Sequence, residues 1–215
     1  MQKIIFTNSN DVTFESDKIN KMFENGLDIL HIRKSEYTEE KLRRYINNID
    51  KKYHSKIVIH EFFNLLDEYD LKGIHINREN RNSFWFNFFT LKRIKSKHNN
   101  ISISYSVDNI KELNKISSRK PSYVFMGRIF SAHTTNRLTL QFNKEELISV
   151  NSNSNFPIIA LGGIDEVTSY KYIQLGFGGI ALQSHIWNST ESVNTFKGII
   201  DILEGRDLVQ IAKHA

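Results

Sequence analysis

Eight short runs rich in β-branched residues punctuate the chain, and each gives way to polar residues: "KIIFTN", "LDILHIRK", "KIVIHE", "GIHIN", "ISISYS", "YVFMGRIF", "PIIALGG" and "GGIALQSH". Short apolar runs bounded in this way read as strands. Between them, apolar positions recur at helical spacing. Leu42, Tyr45, Ile46 and Ile49 follow Thr38, a capping residue with Glu39 and Glu40 in the first turn; Ile19, Met22 and Phe23 precede Gly26. Ile110, Leu113 and Ile116 follow Asp108, and Val193, Phe196, Ile199, Ile200 and Leu203 follow Thr190 and Glu191. Each set is one apolar stripe on an otherwise polar helix.

Strands that are apolar throughout need cover on both faces, so their alternation with amphipathic helices implies a parallel sheet wrapped by helices. Eight repeats in 215 residues fit an α/β chain folded as a single (β/α)8 TIM barrel, one domain spanning 1–215. An open doubly wound sheet is the competing architecture. It is disfavoured because its first strand should run into a glycine-rich turn, and "FTNSNDVTF" contains none. One unit departs from the pattern: in "NSFWFNFFTLKRIKSKHNN", Phe84, Trp85, Phe86, Phe88 and Phe89 are too crowded for one helical stripe. The expectation is a short helix with packing aromatics that fill the core, ahead of a lid or a homodimer contact.

Composition narrows the chemistry. There is no cysteine, which excludes disulfides, thiolate metal sites and a cysteine nucleophile. The formal net charge of +5 favours anions. Without a dense Lys/Arg cluster interleaved with aromatics, phosphorylated small molecules are expected as partners rather than nucleic acid. The apolar stretch in "MQKIIFTNSN" is too short for a signal peptide, and no run approaches the ~20 residues of a membrane helix. A cytoplasmic protein without a membrane partner is the expectation.

Barrel active sites gather at the carboxyl ends of the strands, so the residues closing each run form one constellation. They are Asn8; His31, Arg33 and Lys34; His60 and Glu61; His75, Asn77 and Arg78; Ser104 and Ser106; Arg128; Gly162 and Gly163; and Gln183, Ser184 and His185. Strand alternation puts His31 and Arg33 on one face, and likewise His75 with Asn77. A lone histidine is more commonly structural; the convergence of basic and hydrogen-bonding groups at one rim is what points to function. Gly162 and Gly163 lack a Cβ, so backbone N–H groups there could meet phosphate oxygens, with Asp165 capping the next helix and the loop after strand eight completing the anion site. Tight strand-to-helix packing is the competing role for the pair.

The order of these pieces resembles the thiamine phosphate synthase family, with its thiazole tautomerase relatives, over nearly the whole chain. Family members carry "Q-x-R-x-K", "N-D", "G-V-H-L-G-Q-x-D", "S-x-H-S", "T-x-T-K" and "A-I-G-G-I" at successive strand ends; this chain has "HIRKS", "HE", "GIHINREN", "SYSV", "AHTT" and "ALGGI". The resemblance implies a (β/α)8 barrel and a magnesium-using transferase of thiamine biosynthesis. Such an enzyme joins a pyrimidine methyl pyrophosphate to a thiazole phosphate and releases pyrophosphate. It also implies site residues. Arg33 would contact pyrophosphate, with Lys34 beside the family lysine position that Ser35 occupies, and His31 would replace a glutamine. Arg78 would also hold pyrophosphate, while His60 and His75 would line the substrate pocket.

Glu61 would replace one metal-binding aspartate, and Asn80 would stand at the second with only a neutral oxygen. Ser104 and Thr134 match a serine and a threonine of the family; Thr135 stands at a lysine position that Arg128 or Arg137 could compensate, and Ser106 stands where the tautomerases place a catalytic histidine. Gly162, Gly163, Gln183 and Ser184 would bind the thiazole phosphate. Because several catalytic positions differ, two alternatives stand beside the synthase. One is a phosphate-ligand-binding or regulatory relative. The other is an isomerase or aldolase of another phosphorylated metabolite, with His31, His60 and His75 as acid and base.

Overall fold

The computed structural model describes residues 1–127, 129–132, 138–140 and 142–206. Eight parallel strands close into a barrel: β1 (Gln2–Phe6), β2 (Ile29–Ile32), β3 (Ile57–Ile59), β4 (Gly73–Ile76), β5 (Ser102–Val107), β6 (Tyr123–Gly127), β9 (Ile158–Leu161) and β10 (Gly179–Leu182). Each pairs with its neighbours in sequence, β6 pairs with β9, and β10 returns to β1. All eight strands expected from the hydrophobic runs are present. The sixth run is divided, however: β6 ends at Gly127, and Phe130–Ala132 (β7) pairs antiparallel with Leu138–Leu140 (β8) in a separate two-stranded ribbon. The apolar Ile129 and Phe130 after Gly127 and Arg128 hid that break.

Helices cover the outside. The larger ones are α1 (Glu15–Glu24), α2 (Glu39–Asn47), α5 (Ile110–Ser117), α6 (Lys144–Asn153) and α9 (Ser192–Leu203); shorter ones are α3 (Arg78–Asn82), α4 (Lys92–Lys97), α7 (Ser169–Gln174) and α8 (Ser184–Asn188). The Thr38 hydroxyl accepts from the Lys41 amide at 3.2 Å, the cap expected for α2. For α5 the cap is Asn109, accepting from the Glu112 amide, rather than the neighbouring Asp108. Among the described residues, no helix is long and apolar enough to cross a membrane.

The two-residue period of the strands divides the apolar residues into two layers. Leu30, Ile32, Ile74, Ile76, Val124 and Met126 face outward and join the core beneath the helices, whereas Ile4, Phe6, Ile29, Val58, Tyr123, Phe125, Ile159 and Ala181 fill the barrel. The aromatic segment is a correction to the sequence expectation. Phe84, Trp85, Phe88 and Phe89 are exposed, with Phe84 stacked on Phe88 and Trp85 on Phe89, and only Phe86 packs inward, against Phe63. The segment turns as a wide helix over Phe86–Leu91, and one inward stripe has room for Phe86 and Leu91 alone.

Close backbone approach inside the barrel sets a testable constraint. A Cβ on Gly73 would lie 2.0 Å from the Ser102 carbonyl oxygen, a backbone atom held in the β4–β5 ladder. Gly73→Ala is expected to lower stability by about 2–3 kcal/mol. In Gly198→Ala, where a Cβ on α9 meets open space, urea titration should instead show a gain of roughly 0.5–1 kcal/mol.

Candidate functional site

Because every barrel strand runs the same way, the expected rim residues that are described sit at one end, but their side chains go to three different places. The first is a cleft of about 370 Å³ lined by Leu161 to Asp165 and Ala181 to His185. β9 stops at Leu161 because Gly162 and Gly163 adopt φ of 90° and 68°, a left-handed backbone that L side chains resist. A Cβ on Gly162 would meet nothing within 4 Å, and one on Gly163 only the Tyr172 hydroxyl at 3.9 Å. Strand-to-helix crowding therefore does not explain the pair; the turn's φ values do. The turn is pinned through its carbonyls: the Tyr172 hydroxyl donates to Gly162 O at 2.9 Å and the Thr168 hydroxyl to Gly163 O at 2.8 Å. Asp165 accepts from the amides of Val167 and Thr168, so it caps the loop ahead of α7 rather than the helix itself. Among the described residues, no acceptor takes the amides of Gly162, Gly163 or Ile164. Ser184 opens α8 on the far wall, and the Gln183 side chain turns away to donate to Thr7 O at 3.1 Å. His185, on the same rim, lies 2.7 Å from Glu166.

The second place is the barrel interior. His31 is fully buried, with Nδ1 3.0 Å from His60 Nε2 and Nε2 2.7 Å from the Tyr123 hydroxyl. His75 shares hydrogen bonds with Ser104 at Nδ1 (3.0 Å) and Ser106 at Nε2 (3.2 Å). Burial is the main reason all three imidazoles stay neutral. It holds His31 well below the usual histidine range, with His75 adding to the effect; for His60, the charges of His75, His31 and Arg33 add to it. Burial, then Arg33 and Arg81, push His75 down to about 3. Arg33 itself is exposed, its amide held by the Thr7 hydroxyl at 2.9 Å. Its guanidinium has no ion-pair partner among the described residues, and its charge also acts on half-buried Glu61, whose carboxyl is raised by burial and lowered by Arg33.

The third place is outside the site. Lys34 is a correction: its ammonium is buried 2.7 Å from Glu15 and donates to Asn10 O at 2.8 Å, so it belongs to the packing of α1 against the barrel and not to an anion site. Strand alternation from Arg33 sends it there. Arg78 is drawn off as well, to Glu112 at 2.8 Å and Asp108 at 3.9 Å. Asn80 lies half-buried in α3, whose cap is Asn77. Arg128, Thr134, Thr135 and Arg137 lie outside the described residues. Sequence reasoning missed Tyr123, Tyr172 and Glu15, none of which ends a strand run, and Thr7, which directly follows β1. It also missed Arg81, buried and donating to Ser106 O at 2.9 Å. For Glu15, the signal was an acidic residue opening a helix next to a buried strand end.

The Glu15–Lys34 pair yields a stability prediction. Glu15→Gln leaves a buried ammonium without its counter-charge and is expected to cost about 3–5 kcal/mol in urea unfolding, much of it recovered when Lys34→Met is added.

Known proteins share this fold and chain order. The thiamine monophosphate synthase family model matches residues 4–186. The thiamine-phosphate synthase of Dictyoglomus turgidum is 23% identical over 192 residues, 88% of this chain and 83% of that protein. Among solved structures, thiamine phosphate pyrophosphorylase from Bacteroides thetaiotaomicron superposes with a TM-score of 0.73 at 27% identity, covering 95% of this chain and 98% of that one. The Pyrococcus furiosus thiamine phosphate pyrophosphorylase gives 0.74 at 16% identity, covering 95% and 96%, a likeness of fold. With residues 4–186 inside the family model, a closed eight-stranded parallel barrel and the glycine turn after β9, this chain belongs to the thiamine monophosphate synthase family, as a divergent member.

Proposed function

We propose that the protein is a thiamine phosphate synthase-type transferase, joining a pyrimidine methyl pyrophosphate to a thiazole phosphate with release of pyrophosphate. The observation that carries this reading is the open glycine turn. Its amides and the guanidinium of Arg33, both without an acceptor or ion-pair partner among the described residues, lie at the same barrel end, giving two separate anion holders for two phosphorylated substrates. Thiazole phosphate sits at Gly162, Gly163, Ile164 and Ser184. Arg33 faces the pyrophosphate. The bond from the pyrimidine methylene to the pyrophosphate oxygen breaks with its electron pair leaving on oxygen, and the thiazole nitrogen lone pair forms the new carbon–nitrogen bond. No proton transfer is needed, so the neutral histidines are no obstacle; the developing charge is on pyrophosphate, where a fixed cation contributes most.

A magnesium ion with substrate phosphates asks for one or two carboxylates. Glu61 supplies one beside Arg33, so the donor set meets the minimum, and Glu61 is the residue that would hold the ion; Asn80, in α3 outside the site, is not brought to it. When bound, magnesium would offset charge on the pyrophosphate oxygens. The reaction is placed in the cytoplasm.

Lys34 in its ion pair with Glu15 favours one second reading, a relative that binds the phosphorylated ligand without turning it over. The isomerase reading is weaker, because a general acid or base works best with a pKa near the working pH, and His75 is near 3.

Purified protein with both substrates and Mg²⁺ is expected to form thiamine phosphate. Arg33→Ala should lower kcat/KM by about 10²–10³-fold, and Gly163→Val should chiefly raise KM for thiazole phosphate. Absence of product at saturating substrates rejects the synthase; calorimetric binding of thiazole phosphate under the same conditions then selects the binding relative.

A further inference from the structure

Barrel interiors are usually filled by branched apolar side chains. This one places three imidazoles on the inward faces at the ends of β2, β3 and β4, and one ring nitrogen from each lies within 4.8 Å of the other two. We propose that His31, His60 and His75 form a binding site for one divalent transition-metal ion of the zinc, cobalt or nickel class, inside the barrel just below its mouth.

The ring geometry supports a shared ion. A metal about 2.0–2.1 Å from an imidazole nitrogen lies roughly 3.2 Å from the ring centre, so two such rings stand about 4.5 Å apart at a right angle and about 5.2 Å apart at the tetrahedral angle. The observed separations are 4.4 Å for His60–His75, 5.3 Å for His31–His60 and 5.8 Å for His31–His75. The centroid distances of the first two match those angles; His75, stacked at 25° on His60 with both nitrogens on serines, rotates off one serine to turn that nitrogen to the ion.

The ring nitrogens left over on His31 and His75 already have partners of the kind that orient metal ligands. With Nδ1 of His31 turned to His60, its Nε2 stays on the Tyr123 hydroxyl. Whichever nitrogen His75 turns to the ion, the other keeps a serine hydroxyl, Ser104 or Ser106. Phe6 and Phe125 wall the cluster, with ring centres 4.8 and 4.9 Å from that of His31. The donor set is all nitrogen, which suits zinc, cobalt or nickel and is wrong for magnesium or calcium. Three protein ligands leave one position open. An ion bearing its full charge near Arg33 favours an anionic oxygen or hydroxide there.

This site does not rest on the proposed transferase reaction, and its test uses no substrate. The full chain is stripped with a chelator, dialysed and titrated with cobalt(II) chloride, read by visible d–d absorption and by metal content. One cobalt ion per chain is expected, displaced by zinc chloride and unmoved by excess magnesium. His60→Ala and His75→Ala should weaken binding at least ~100-fold, while His98→Ala, at a half-buried histidine paired with Asp67, leaves it unchanged. Tyr123→Phe keeps all three ligands and the packing and should weaken binding about 10–100-fold, which decides the matter if a histidine variant fails to fold. Less than stoichiometric cobalt in the wild type, or binding that survives Tyr123→Phe and His60→Ala at full strength, overturns the site. A failed synthase assay leaves it standing.

Discussion

The alternation of side chains along parallel strands is the constraint on which the rest of this molecule depends. Closing eight strands into a ring leaves each residue one of two destinations, the helix-covered outside or the enclosed interior. At the end of β2, His31 turns inward and Lys34 goes under α1 to Glu15, with Arg33 between them at the rim. Three polar residues within four positions thus enter three environments: a desolvated ring network, a rim open to anions, and a buried ion pair.

The fold was legible because its signals are redundant. Every strand run is bounded by polar residues, and helices with a single apolar stripe fill the gaps. Side-chain destinations were less so. Lys34 next to an arginine at a strand end reads as part of an anion site, and only its neighbour in space, Glu15 on a different element, shows otherwise. Arg78 misled for the same reason, since Glu112 lies 34 positions away. The glycine turn was readable as an open backbone, but its fixation by Tyr172 and Thr168 depends on α7 folding back over it. The aromatic run from Phe84 was misjudged because hydrophobicity alone does not say how many neighbours one helical face can accommodate.

The same contrast separates the two anion-facing walls from the interior. At the cleft, backbone amides and an exposed serine offer hydrogen bonds without a large buried cost. Inside, imidazole nitrogens must find partners locally: Tyr123 and His60 take those of His31, and Ser104 and Ser106 those of His75. The interior cluster is consequently the enclosed element and the glycine turn the accessible one.

The chain's two tryptophans fall on opposite sides of this division. Trp85 stands in solvent, while Trp187 on α8 is buried with its indole N–H on Phe6 O at 2.7 Å, one turn from the Ser184 wall of the cleft. The protein therefore carries a built-in pair of optical reporters: a water-exposed indole that emits to the red, and a shielded one, on the helix that opens the far wall of the cleft, that emits to the blue.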